Sequence, residues 1–135
     1  MKFKWTDDLS TGIEQIDRAH IEMFATIDRL AGACKKGKGK EEISETLRFL
    51  NSYIAGHFGH EERQMADLGY QSFAMHKSQH DGFVKTVQEL QRKLESAGPS
   101  SELAIQANIA LVDWLVKHII SFDKSLGLFL KSRNK

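Results

Sequence analysis

Cysteine and proline are scarce in this sequence, with one of each among 135 residues. The single cysteine, Cys34, excludes a disulfide within the chain. The single proline, Pro99, lies in a short A-G-P-S-S segment, so no proline interrupts the helical patterns on either side of it. Hydrophobic residues make up 41% of the chain, which is enough for one domain with a real core. We therefore expect a single domain over residues 1–135.

An excess of charge is also absent, because 19 basic and 18 acidic side chains leave a formal net charge of +1. Without surplus basic surface to hold phosphates, nucleic acid is not expected as a partner. No stretch approaches the roughly 20 apolar residues of a membrane span. The start, Met1 to Thr6, lacks the apolar run of a signal peptide. We therefore expect no membrane span and a cytoplasmic location.

Apolar residues recur at steps of three and four, the period of a helix that buries one face. This pattern predicts four helices and a short C-terminal helical segment, over about residues 16–36, 41–67, 72–96, 101–120 and onward to about 130. Residues 1–15 are rich in turn formers and acids and predict an irregular N-terminal arm. Four helices with short loops favour an all-α, up-down-up-down antiparallel four-helix bundle.

Local signals mark the expected helix ends. Asp17 and Ser72 are interpreted as N-terminal caps of the first and third helices, because their side-chain oxygens can accept from free backbone N–H groups. Gly69 is a natural C-terminal glycine for the second helix. The run K-K-G-K-G-K from Lys35 to Lys40 predicts a solvated loop between the first two helices.

Ionisable side chains occupy positions where the helical stripes call for apolar residues. The candidates are His20, His57, Glu61, His76, His80, His118 and Asp123. His57 and Glu61 are four residues apart, as are His76 and His80, so each pair lies on one face of its helix. An ionised glutamate buried without a partner costs several kcal/mol. A bound metal is the obvious compensation.

The candidates on different helices can share a site only if they lie at the same height in the bundle. Seventeen to nineteen residues separate each of His20, His57, His80 and His118 from the loop regions at Gly37–Gly39 and Gly98–Pro99. At a rise of about 1.5 Å per residue, the four heights agree within a few Å. The predicted site therefore lies toward the opposite end, near the Gly69 turn.

One pair does not fit an ideal helix. His118 and Asp123 are five residues apart, which places them about 140° apart around a regular α-helix. We therefore expect the fourth helix to be overwound or bulged near residues 119–122, a distortion that often marks functional sites.

Five imidazoles and two carboxylates are too many for one tetrahedral zinc, which takes four ligands. Two metals are therefore implied. Imidazole and carboxylate ligands without thiolate favour iron over manganese or zinc. Two six-coordinate metals that share both carboxylates and one oxo or hydroxo bridge would keep one coordination position open, with three histidines on one metal and two on the other.

The segments around the candidates form a characteristic set of motifs. They are I-D-R-A-H ending at His20, H-F-x-x-E-E from His57, M-x-x-x-G-Y from Met65, H-x-x-x-H at 76 and 80, and W-L-x-x-H-I-x-x-x-D ending at Asp123. Together they resemble the hemerythrin family, in its single-domain bacterial form, over nearly the whole chain. The sequence departs from the common family pattern at Gln71 and Leu126, but at no ligand position.

The resemblance implies a non-heme di-iron centre with an oxo or hydroxo bridge and dioxygen as its ligand. By the family pattern, His76, His80 and His118 would hold the saturated iron, His20 and His57 would hold the open iron, and Glu61 and Asp123 would bridge. An apolar pocket would be lined by Phe58, Phe83, Leu115 and Ile119.

What the resemblance implies for function is reversible dioxygen binding, by an oxygen carrier, store or sensor that is not an enzyme. A dioxygen-consuming enzyme is a candidate recipient. The alternative is a di-iron enzyme with peroxidase, oxidase or nitric oxide chemistry. Dioxygen-activating bundle sites use four glutamates and two Glu-x-x-His motifs. This chain has no Glu-x-x-His, and two carboxylates supply little negative charge for high-valent iron, so binding is favoured.

The remaining conspicuous residues are given structural interpretations. His60, the sixth histidine, is expected to be exposed, and Glu62 is expected to be a surface acid rather than a ligand. Cys34 continues the first apolar stripe and is interpreted as a small core residue. Trp5 and Trp114 are interpreted as packing residues.

Overall fold

The structure is a computed structural model that describes residues 5–133. A 3₁₀ turn, Asp7–Leu9, precedes the helices, and the described residues contain no strand. The helices are α1 (Glu14–Lys35), α2 (Gly39–Asp67), α3 (Phe73–Ala97), α4 (Ser101–His118) and α5 (Lys124–Arg133), with a π-helix (Ile119–Asp123) between α4 and α5. The fold is the predicted antiparallel four-helix bundle, because α4, the π-helix and α5 form one continuous rod.

The apolar stripes predicted from the sequence face one another inside the bundle. The main core cluster includes Met23, Phe24, Ile27, Leu30, Ile43, Leu47, Leu50, Phe83, Val87, Leu111 and Leu115. A second, smaller cluster lies at the Gly69 end of the bundle and contains Ile16, Met65, Leu126 and Leu130. Along each helix, the predicted metal-binding residues lie between residues of these two clusters. The site therefore has apolar packing on both sides of it along the bundle axis.

The helix ends follow the glycine signals but not all of the predicted caps. Gly69 has a positive φ of 66°, as a C-terminal glycine requires. Ser100 caps α4, since its Oγ accepts from the Leu103 N–H at 3.0 Å. Ser72 occupies the N-cap position of α3 but makes no side-chain capping hydrogen bond.

The interpretation of Asp17 as a helix cap is wrong. Helix α1 begins at Glu14, so Asp17 lies inside the first turn rather than before it. Its carboxylate accepts hydrogen bonds from the Ser10 hydroxyl at 2.6 Å, and from the backbone N–H and the hydroxyl of Thr11, both at 2.8 Å. These bonds hold the pKa of Asp17 below its ordinary value even though burial acts to raise it. Asp17 therefore fastens the N-terminal arm to α1.

The arm lies against the C-terminal part of the bundle. Leu9 is buried, and Lys124 donates a hydrogen bond to the Asp8 carbonyl at 2.9 Å. A Cβ on Gly127 would overlap the carbonyl of Thr11, so glycine is needed for this close approach. Residues 1–4 of the predicted arm lie outside the described residues. The prediction that Met1 to Thr6 is not a signal peptide therefore concerns mostly residues outside the described part of the chain.

The bulge predicted in the fourth helix is confirmed. Residues Ile119–Asp123 form a π-helix, with α-helix on both sides. The wider turn brings Asp123 under His118, and the His118 Nε2 to Asp123 Oδ1 distance is 3.1 Å. The distortion thus brings two residues five positions apart onto one face.

One described helix, the rod Ser101–Arg133, is long and apolar enough to cross a membrane by length and composition. Part of its apolar surface is buried in the bundle, at residues such as Leu103, Leu111 and Leu115, whereas Ile109 and Leu128 are exposed. A core helix can pass the same test as a membrane span, so the absence of a span stays a prediction.

Candidate metal centre

The seven predicted side chains converge on one region of the bundle interior. Six of them are almost fully buried, and the His57 side chain is 9% exposed. Helix α1 supplies His20, α2 supplies His57 and Glu61, α3 supplies His76 and His80, α4 ends at His118, and the π-helix ends at Asp123. The equal heights inferred from the sequence thus correspond to a common site near the Gly69 turn.

The donor atoms fall into two groups that share a carboxylate. Ligand atoms of Glu61, His76, His80, His118 and Asp123 lie within 4.8 Å of one another. A second set with the same spacing contains His20, His57 and Glu61. We call His76, His80 and His118 the three-histidine group, and His20 and His57 the two-histidine group.

Each carboxylate directs its two oxygens to different groups. In Glu61, Oε2 lies 2.8 Å from His57 Nε2, whereas Oε1 lies 3.3 Å from Nε2 of both His76 and His80. In Asp123, Oδ2 lies 2.8 Å from His20 Nε2, whereas Oδ1 lies 3.0 Å from His76 Nε2 and 3.1 Å from His118 Nε2. Both carboxylates therefore span the two groups, one oxygen to each.

Most of these contacts are close without being hydrogen bonds. Among the described residues, the two oxygens of Glu61, Oδ1 of Asp123 and Nε2 of His76, His80 and His118 are buried and have no hydrogen-bond partner. Unsatisfied buried polar atoms are costly and need an explanation. Oxygen and nitrogen donors arranged around common points are what first-row metal ions bind, so this donor set fits a pair of such ions.

The electrostatics call for positive charge in the site. Burial and the neighbouring Asp123 both act to raise the pKa of Glu61, but contacts with His57, His76 and His80 outweigh them and hold it below its ordinary value. Burial likewise acts against ionisation of Asp123, yet the surrounding histidines hold its pKa well below the usual range. Two carboxylates therefore stay anionic in a low-dielectric interior.

Positive charge in the metal-free chain is centred on His76. Burial acts to lower the pKa of His76, but contacts with Asp123 and Glu61 raise it to about 9. The pKa of His57 is also raised, because its contacts with Glu61 outweigh burial. By contrast, burial lowers the pKa of His118. A proton on His76 therefore supplies part of the positive charge that a metal would otherwise provide.

These shifts predict that metal-free protein loses stability as pH rises from about 6.5 to 9. A histidine whose pKa is raised on folding stabilises fully below its unfolded pKa, and that contribution disappears as pH passes the folded pKa. For His76 the contribution is on the order of 3 kcal/mol. The measurement is the urea midpoint of metal-free protein at pH 6.5, 7.5 and 9.

Metal-loaded protein is the natural control, because a bound metal replaces the proton and needs neutral histidine. Its midpoint should not fall over the same pH range. His60→Ala in metal-free form should keep the wild-type slope. A metal-free midpoint that is constant or rises with pH would contradict this electrostatic description.

Aromatic rings fix the orientation of two ligand candidates. The Phe58 ring stacks on His80 with centroids 3.8 Å apart and planes 3° apart. The His118 ring lies between Trp114, at 4.4 Å and 13°, and Phe122, at 5.6 Å and 15°. Trp114 is therefore a packing residue, as predicted, and its packing positions an imidazole. The residues expected to line an apolar pocket, Phe58, Phe83, Leu115 and Ile119, are all buried.

Two neighbours of Glu61 differ from their sequence interpretation. Glu62 was expected to be a surface acid, but its side chain is only 23% exposed and its Oε2 lies 2.9 Å from His80 Nδ1. His60 was expected to be exposed, but it is half-buried, and its Nε2 has no hydrogen-bond partner within residues 5–133. His60 belongs to neither donor group. Cys34 is partly buried against the main core, in line with a small packing residue.

Comparisons with known proteins give matches over most of the chain. A family model described as the hemerythrin HHE cation binding domain matches residues 11–126. A bacteriohemerythrin of Pseudomonas aeruginosa (strain LESB58) is 34% identical over 119 residues, covering 88% of this chain and 75% of that protein. A bacteriohemerythrin of Methylococcus capsulatus (strain Bath) is 32% identical over 124 residues, covering 91% and 92%.

Solved structures give the same result. The crystal structure of a hemerythrin with a leucine-to-tyrosine mutation superposes with a TM-score of 0.78 at 30% identity. The superposition covers 94% of this chain and 96% of that one. The similarity therefore extends over nearly the whole bundle.

Proposed function

The chain belongs to the hemerythrin family, and from that premise we propose that it binds dioxygen reversibly at a non-heme di-iron centre. It would act as an oxygen carrier, store or sensor. The proposed ligands are the three-histidine group for one iron, the two-histidine group for the other, and Glu61 and Asp123 as bridges. A cytoplasmic location and delivery to a dioxygen-consuming enzyme belong to the same proposal.

The observation that carries the proposal is the division of the carboxylate oxygens. Glu61 and Asp123 each place one oxygen beside the three-histidine group and the other beside the two-histidine group. A carboxylate that served one metal with both oxygens, or that only neutralised a histidine, would not need this division. The division fits two metal positions that share both carboxylates, with three histidines at one position and two at the other.

When bound, the two irons would supply two electrons and the open coordination place for dioxygen. The protein's own part is to position the donors and to exclude water. Glu61 and the three-histidine group are almost completely buried, and Phe58, Phe83, Leu115 and Ile119 supply apolar wall nearby. An apolar surrounding limits access of water and stray protons, which favours release of dioxygen unchanged.

The donor chemistry favours binding over catalysis. The proposed centre has five imidazoles and two carboxylates, and the sequence has no Glu-x-x-His motif of the kind found in dioxygen-activating bundle sites. Fewer anionic ligands stabilise high-valent iron less. A peroxidase, oxidase or nitric oxide activity is therefore the alternative outcome of the test below.

The test is repeated oxygenation of the reduced, iron-loaded protein. We expect a charge-transfer absorption band to appear when dioxygen is added and to vanish when it is removed, over many cycles. His60→Ala should cycle like the wild type, because His60 lies outside both donor groups. Irreversible bleaching, or turnover of peroxide or nitric oxide at a rate that exceeds oxygen release, would favour the enzyme instead.

A further inference from the structure

Glu62 contacts one of the ligand histidines on the side that faces away from the centre. Its Oε2 lies 2.9 Å from Nδ1 of His80, while Nε2 of the same ring lies 3.3 Å from Oε1 of Glu61. Glu61 and Glu62 are adjacent on α2, so the imidazole of His80 on α3 lies between two consecutive carboxylates. One of them faces the proposed metals and the other faces outward.

This arrangement determines which nitrogen of His80 carries the proton. A carboxylate can only accept a hydrogen bond, so Nδ1 must donate and Nε2 is left free as a ligand. The ring cannot easily rotate out of this alignment, because Phe58 stacks on its face at 3.8 Å with the planes 3° apart. Glu62 and Phe58 together hold Nε2 in the direction of the centre.

The other buried histidines have no such partner. The Nδ1 atoms of His20, His76 and His118 are buried without a hydrogen-bond acceptor in the part of the chain that the structure describes. Within the three-histidine group, His80 is therefore the one ring whose outer nitrogen donates to a charged side chain. The three ligands of that iron would differ in donor strength although all are histidines.

We propose that Glu62 is a positioning residue that acts through His80 and tunes the iron held by the three-histidine group. The inference depends on the proposed di-iron function. A carboxylate that accepts a hydrogen bond from the Nδ1–H increases the electron density of the imidazole and makes Nε2 a stronger donor. A stronger donor stabilises ferric over ferrous iron and slows loss of the metal. Glu62 thereby lowers the reduction potential of this iron and favours electron donation to dioxygen.

Two substitutions separate the charge of Glu62 from its hydrogen bond. Glu62→Ala removes both, whereas Glu62→Gln keeps an oxygen that can accept from Nδ1 but removes the charge. Glu42→Gln is the matched control, because Glu42 is a half-buried glutamate on the same helix, twenty residues away from Glu62. Each variant is loaded with iron and compared for its reduction potential and for its rate of iron release to a chelator.

We expect Glu62→Ala to bind iron about 10- to 100-fold more weakly than the wild type, the usual effect of losing such a partner, and to release it faster to the chelator. Its reduction potential should shift to a more positive value. The reduction potential and iron release of Glu62→Gln should lie between those of the wild type and Glu62→Ala. Glu42→Gln should match the wild type in both. A purely structural role would change stability but would leave the potential unchanged. If Glu62→Ala does not fold, Glu62→Gln alone decides through the same two measurements.

A second measurement does not depend on iron. Nitrogen-15 NMR of the zinc-loaded wild type should detect a strongly hydrogen-bonded proton on Nδ1 of His80, and that signal should weaken in Glu62→Gln. One contrary result is that both Glu62 variants still hold two irons, with the reduction potential and the rate of iron release of the wild type. That result would overturn the inference and leave the proposed function intact. A wild type that cannot hold two irons would overturn the proposed function, and absence of the Nδ1 proton would overturn the Glu62 contact itself.

Discussion

Replacing Glu61 by alanine is expected to abolish binding of both irons. Glu61 is fully buried and contacts both histidine groups, through His57 on one side and through His76 and His80 on the other. Its removal takes one ligand from each metal and one of the two bridges. The same change leaves histidines without their carboxylate in an apolar interior. The measurement is iron content per chain after expression with added iron.

The Glu61→Ala variant should also be less stable in metal-free form. Removing one partner from a buried, charged cluster typically costs about 3 to 5 kcal/mol, because the remaining groups stay buried and unpaired. Loss of the metals removes a further stabilising contribution from the iron-loaded protein. His60→Ala is the control, since it removes the histidine immediately before Glu61 on the same helix but touches neither donor group. Equal iron content in the two variants would refute the role given to Glu61.

Replacing His20 by alanine is expected to remove one iron and leave the other. The two-histidine group would be reduced to His57, whereas the three-histidine group would keep all three imidazoles and both carboxylates. The expected iron content is therefore about one per chain, with no dioxygen band, because the open coordination place belongs to the lost iron. The measurement combines iron analysis with the absorption spectrum under dioxygen.

A matched change in the other group makes the His20 result specific. His76→Ala removes a histidine whose Nε2 contacts both Glu61 and Asp123. The variant should impair binding of the iron held by the three-histidine group. It should therefore not reproduce the state expected for His20→Ala, in which that iron is the one retained. Two irons retained in His20→Ala would contradict the two-histidine group as a ligand set.

Much of the site could be predicted from the sequence because helices have a fixed rise and period. Counting residues from the loops placed His20, His57, His80 and His118 at one height, and the structure places them around one site. The same periodicity identified the misfit of Asp123, which the π-helix resolves. Both arguments use distances along a helix, and these change little with the packing of side chains.

The sequence did not predict the contacts that depend on side-chain rotation between helices. Glu61 and Glu62 are consecutive glutamates, and only the packing of α2 against α3 decides that the second reaches His80 Nδ1. The half-buried state of His60 depends on the same rotation of α2. The apolar period predicts a cap at Asp17 because it begins near that residue, but the helix starts at Glu14 and the arm folds back onto the Asp17 carboxylate.

The division of the carboxylate oxygens was likewise not available from residue spacing. Spacing places Glu61 and Asp123 near the histidines, but the torsion of each carboxylate decides which oxygen faces which group. The sequence supplied the bridging roles only through family resemblance. The structure adds a physical reason for them, in the separate contacts of Oε1 and Oε2 and of Oδ1 and Oδ2.

The most direct test of the central claim is iron analysis of the purified, iron-supplied wild type, combined with Mössbauer spectroscopy of the oxygenated sample. Two donor groups of unequal size, joined by two carboxylates, predict two irons per chain in two distinct environments. A single iron per chain, or two irons in identical environments, would contradict the account.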